Sequence, residues 1–62
     1  MPHVEVTLVK GRSVEQKRKA AEKLTQIICE ELNAKREDTT VAFLEVDKES
    51  FAHGGTLVID RK

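Results

Sequence analysis

A chain of 62 residues makes at most one domain, and domains of about 60 residues bury only roughly 60% of the surface that their unfolded chain exposes. With 11 basic and 11 acidic residues mixed along the chain, no tryptophan or tyrosine and only Phe43 and Phe51 as phenylalanines, neither a basic patch nor a base-stacking platform is present, so a nucleic-acid binder is not expected. The single cysteine, Cys29, forbids an internal disulfide and no Cys/His cluster has zinc spacing, so the extra burial a small scaffold needs is expected from partner chains.

The chain starts Met1-Pro2-His3-Val4-Glu5, without the basic region and apolar stretch of a signal peptide. No apolar run approaches the roughly 18 residues that suggest a membrane span. The expectation is a soluble cytoplasmic protein with one domain over 1–62.

From His3 to Val9 the chain alternates, with Val4, Val6 and Leu8 on one face and His3, Glu5, Thr7 and Val9 on the other. That is the period-two pattern of a strand. Lys10-Gly11-Arg12 follows as a turn, and Ser13-Val14-Glu15-Gln16 is a capping box that starts a helix. The helix is predicted to reach about Leu32, with Ala20, Ala21, Leu24, Ile27, Ile28 and Leu32 on one stripe and Asn33 as its left-handed terminator. Residues 34–38 read as a polar connector with at most one short turn.

A second strand is predicted over Thr39 to Val46, apolar on both faces: Val41 and Phe43 on one, Ala42, Leu44 and Val46 on the other. One helix cannot cover both, which calls for a neighbouring subunit. Residues 47–50 form a charged turn, residues 51–55 a loop whose glycines permit positive φ, residues 56–59 a short strand or hairpin arm, and residues 60–62 a polar tail. The fold class expected is α+β: a β-α-β subunit with a parallel pair of strands joined by a right-handed crossover, a C-terminal hairpin arm, and sheet edges that invite pairing with another chain.

Pro2 is the first candidate for chemistry. Removal of the initiator methionine would leave it as an N-terminal secondary amine. An α-amino group titrates near 7.7–8.0 and a prolyl amine somewhat higher. An apolar pocket beside cations would lower that value and give a general base near neutrality. From chemistry alone, a proline that merely starts the chain is the commoner reading. Cys29 reads as half-buried helix packing. His53 reads as a residue that lines a pocket or meets solvent. His3 with Glu5 offers only two metal ligands, which do not make a site.

Pro2 ahead of a strand, then Gly11-Arg12-Ser13 with Glu15-Gln16-Lys17, then Phe51-Ala52-His53-Gly54-Gly55, resembles the 4-oxalocrotonate tautomerase family over essentially the whole chain. The resemblance implies a hexamer of three dimers that performs keto–enol tautomerisation of enols beside a carboxylate, with no metal or cofactor. It implies Pro2 as the base, Arg12 as a carboxylate binder supplied by a neighbouring subunit, and Phe51 as an apolar wall that keeps the amine's pKa low. The family's best-studied members carry a second arginine near the start of the second strand, and Thr40 stands at that substrate-facing position here. Its hydroxyl cannot make the bidentate, charge-assisted contact of a guanidinium. Arg36, Lys35 and Arg61 are the cations that could reach in from another subunit, and the sequence does not choose among them. Two alternatives remain. One is hydration or dehalogenation of unsaturated acids, for which Glu5 and Glu45 are the only strand carboxylates; the other is an oligomeric module with weak or no activity.

Overall fold

The computed structural model describes Met1–Arg61; Lys62, the end of the expected polar tail, lies outside the described residues. Strand β1 (His3–Val9) leads through the Gly11 turn into helix α1 (Val14–Leu32). A 3-10 turn (Arg36–Asp38) then enters strand β2 (Thr40–Val46). Beyond it come a second 3-10 turn (Lys48–Ser50), a hairpin of β3 (Ala52–His53) and β4 (Thr56–Leu57), and a last 3-10 turn (Val58–Asp60).

The helix ends where local chemistry says it should. The Gln16 amide donates to the Ser13 hydroxyl at 3.1 Å, and the Ser13 amide donates to the Gln16 side chain at 2.8 Å. At the other end Asn33 takes left-handed angles, φ 54 and ψ 45, so the chain turns out of the helix.

β1 and β2 are parallel, with His3 beside Thr40, Val6 beside Phe43 and Val9 beside Val46. In this register Val4, Val6 and Leu8 share a face with Val41 and Phe43. That face meets the helix: Lys17 Nζ lies 2.8 Å from Glu45 Oε1, and Cys29 Sγ lies 3.8 Å from the Thr39 hydroxyl. Cys29 is half-buried packing, as its sequence position suggested. The opposite face carries, from the N-terminal to the C-terminal end, His3 beside Thr40, Glu5 beside Ala42, Thr7 beside Leu44 and Val9 beside Val46.

The helix stripe is narrower than the sequence pattern. Ala20, Ala21, Leu24 and Ile28 are half-buried, whereas Ile27 and Leu32 remain 55% and 63% exposed. A sheet of only two strands covers less of the helix than its apolar stripe provides. The arm also differs from the expected 56–59 strand: β4 ends at Leu57, the Val58 amide makes a last bond to the Phe51 carbonyl at 2.8 Å, and Val58 and Ile59 enter a 3-10 turn. Gly54 and Gly55 take φ of 51° and 90°, the left-handed pair a tight two-residue hairpin requires.

No described residue is fully buried, and Leu44, Phe51 and Ile59 stay exposed. The Cα radius of gyration is 14.6 Å, with extents of 42 × 24 × 15 Å. A compact domain of this length has a radius of about 10.6 Å. This is a subunit whose apolar faces and projecting arm lack the contacts that would give a closed core.

Candidate active site

The parallel register decides what meets at Pro2. Its carbonyl accepts a hydrogen bond from the Thr40 amide at 3.1 Å, which fixes Pro2 against the first residue of β2. On the next residue, His3 Nδ1 lies 2.7 Å from the Thr40 hydroxyl, while His3 Nε2 lies 3.6 Å from Glu5 Oε1. Which of the two donates depends on the imidazole tautomer, and in either case the Thr40 hydroxyl is engaged within the chain.

Pro2 also lines a concavity of 580 Å³, walled by Met1, by residues 32–35 and by Asp38. Asn33 directs the chain there as it leaves the helix. The Lys35 carbonyl accepts from the Asp38 amide at 3.1 Å and from the Thr39 hydroxyl at 2.9 Å, so this wall is held by hydrogen bonds. Met1 is 93% exposed.

Arg12 and Phe51 are not among the residues around this concavity. β1 carries the chain roughly 20 Å at about 3.3 Å per residue, and Arg12 lies beyond its far end. Phe51 follows the turn after β2, its ring 5.6 Å from that of His53 in an edge-to-face arrangement. One subunit therefore brings Pro2 and Thr40 together and leaves Arg12 and Phe51 elsewhere. His53 is exposed beside Phe51, in the arm.

Of the three cations the sequence left open, Arg36 is engaged with Glu22 at 2.8 Å, Arg61 lies past the last 3-10 turn, and Lys35 lines the concavity with Pro2. The bond between His3 and Thr40 had no sequence signal, because the two residues are 37 positions apart and only the strand register brings them together.

The model of a family described as tautomerase enzymes matches residues 2–61. The chain belongs to the tautomerase family. A probable tautomerase of Bacillus cereus is 38% identical over 61 residues, covering 98% of this chain and 100% of that one. The 2-hydroxymuconate tautomerase of Bacillus subtilis is 37% identical over 60 residues, covering 97% of each chain. Among solved structures, a 4-oxalocrotonate tautomerase homologue superposes with a TM-score of 0.92 at 34% identity, covering 100% of this chain and 98% of that one. The resemblance read from Pro2, the Gly11-to-Lys17 segment and the Phe51-to-Gly55 loop is thus borne out, as is the β-α-β fold. As a member of the tautomerase family the chain is an isomerase of the 4-oxalocrotonate tautomerase kind. No helix of the described residues is long and apolar enough to cross a membrane.

Proposed function

We propose that the chain, once Met1 is removed, catalyses cofactor-independent keto–enol tautomerisation of 2-hydroxydienoate or related enol carboxylates, with the Pro2 amine as general base. The observation that carries this reading is the placement of Pro2: pinned through its carbonyl by the Thr40 amide and lining an open concavity beside a cation. The neutral amine takes the proton of the enol hydroxyl. The electron pair of that O–H bond becomes the carbonyl π bond, the C=C pair shifts along the diene, and the prolyl ammonium returns the proton to carbon. An amine that titrates near neutrality balances neutral form against basicity, which favours general-base work.

Arg12 binds the substrate carboxylate and Phe51 supplies an apolar wall, both from neighbouring subunits of a cytoplasmic homohexamer. The exposed apolar faces and the extended shape of the lone subunit support assembly. The separation of Arg12 from Pro2 within one chain supports their meeting across an interface.

Hydration or dehalogenation of unsaturated acids, the alternative chemistry, needs a carboxylate free to activate water. Glu45 is paired with Lys17, Glu5 faces His3, and Asp38 is the acidic residue at the concavity.

Intact-mass measurement paired with an ultraviolet assay on 2-hydroxymuconate and phenylenolpyruvate tests the proposal. Met1-free protein should turn over, and protein that keeps Met1, whose Pro2 nitrogen is an amide, should not. Equal activity of the two forms would remove Pro2 as the base.

A further inference from the structure

We propose that Lys35 is the anchor for a second substrate carboxylate, doing from the same subunit as Pro2 what an arginine at position 40 would otherwise do. This deepens the tautomerase reading and rests on it for the identity of the substrate. Three observations lead here. The Thr40 hydroxyl is taken by His3 at 2.7 Å. Arg36 is taken by Glu22 at 2.8 Å. Lys35 lines the concavity with Pro2 and has no ion-pair partner among the described residues.

The setting makes that cation decisive. Asp38 lies on the same concavity, and α1 ends at Leu32, presenting the negative end of its dipole nearby. Both repel a second carboxylate, so binding a dianion there depends on Lys35. The Lys35 backbone is held by the two hydrogen bonds its carbonyl accepts, which fixes where the side chain starts. An ammonium is a compact point charge without the planar fork of a guanidinium. It favours a dicarboxylate while tolerating carboxylates in somewhat different positions.

Calorimetric binding of two unreactive ligands to the Met1-free oligomer tests this: trans,trans-muconate, a six-carbon dienoic diacid, and sorbate, the same diene with one carboxylate. Wild type should prefer muconate. Lys35→Met should weaken muconate about tenfold, or ~1.4 kcal/mol, and leave sorbate within about twofold, with Lys35→Gln doing the same. Lys35→Arg should retain muconate, and Asp38→Asn should tighten it. An unchanged ratio of muconate to sorbate affinity in Lys35→Met, or a wild type without preference for the diacid, overturns the proposal. Binding needs no turnover, so these outcomes stand apart from those of the Met1 experiment, which addresses Pro2 as the base.

Discussion

Thr40 and Pro2 meet across the N-terminal end of the parallel strand pair, the Thr40 amide donating to the Pro2 carbonyl at 3.1 Å. The consequence is that the residue read as the base starts from a fixed backbone, while Arg12 lies beyond the other end of β1. On the proposed reading, Pro2 and Arg12 come together only where two chains meet.

Subunit mixing tests that division. Arg12→Ala should lower kcat/KM by about one to two decades with folding unchanged, since a charge-assisted hydrogen bond is worth about 1.5–3 kcal/mol. A Pro2→Ala protein should lack the proline base. Dissociated and reassembled together, the two should regain activity, because some sites combine an intact Pro2 from one chain with an intact Arg12 from another. Recovery no greater than the sum of the two parents would place both residues in the same subunit's site.

Assembly should fail when the exposed sheet face is made polar. Leu44 is 43% exposed in the lone subunit and stands on the face turned away from α1. Burying a leucine contributes about 1.5–3 kcal/mol, and every subunit repeats the contact. Leu44→Asp should shift light scattering to small species, with loss of circular-dichroism signal at the same concentration. A folded, monomeric Leu44→Asp protein would show that the subunit does not need its neighbours.

Much of this was legible in the sequence, for local reasons. Alternation fixed the faces of β1 and β2, the capping box fixed the start of α1, and Asn33 fixed its end. What escaped was non-local. The exposure of Ile27 and Leu32 follows from the width of the sheet beneath the helix, which no stripe encodes. That the Arg36 guanidinium is engaged was equally hidden, because its partner Glu22 is 14 residues away. Ile59 looked like strand by composition, but it lies past the last cross-arm bond, from Val58 to Phe51, and turns instead.

The far end of the sheet carries a pH signature. Lys10 Nζ lies 2.9 Å from Asp47 Oδ1, and the hydrogen bond to Asp47, followed by its charge, raises the Lys10 pKa above the ordinary 10.5. A raised lysine pKa in the folded state gives stability that is fully present below the unfolded value and lost as pH rises through the folded one. The difference in thermal midpoint between wild type and Lys10→Met should be small, as for any exposed pair. It should persist at pH 9 and fade as pH is taken above 10.5. A difference that stayed constant through that range would mean that Lys10 acts by packing its stem instead of by charge.

Thr40→Arg asks whether two cations can do one job. On the role proposed for Lys35, the added guanidinium meets a position that wild type already serves, and it also removes the hydroxyl bonded to His3 at 2.7 Å. Its benefit for a dicarboxylate enol should therefore be modest. In a Lys35→Met background the same change should restore the preference for the dicarboxylate over a monocarboxylate aryl enol, because only the former has a second anchor to offer. A guanidinium near the reacting carbonyl can also stabilise charge developing on oxygen, and this lowers the barrier only by what exceeds ground-state binding. The two contributions separate in the kinetics: recovered anchoring lowers KM for the dicarboxylate alone, whereas oxyanion stabilisation raises kcat for both substrates. Measuring kcat and KM for both at two salt concentrations, after circular dichroism and scattering confirm an intact oligomer, distinguishes them, since an anchor at an open concavity weakens with salt. If Thr40→Arg raised activity on both substrates equally in wild type and in Lys35→Met, position 40 would tune the reaction without setting the class of substrate.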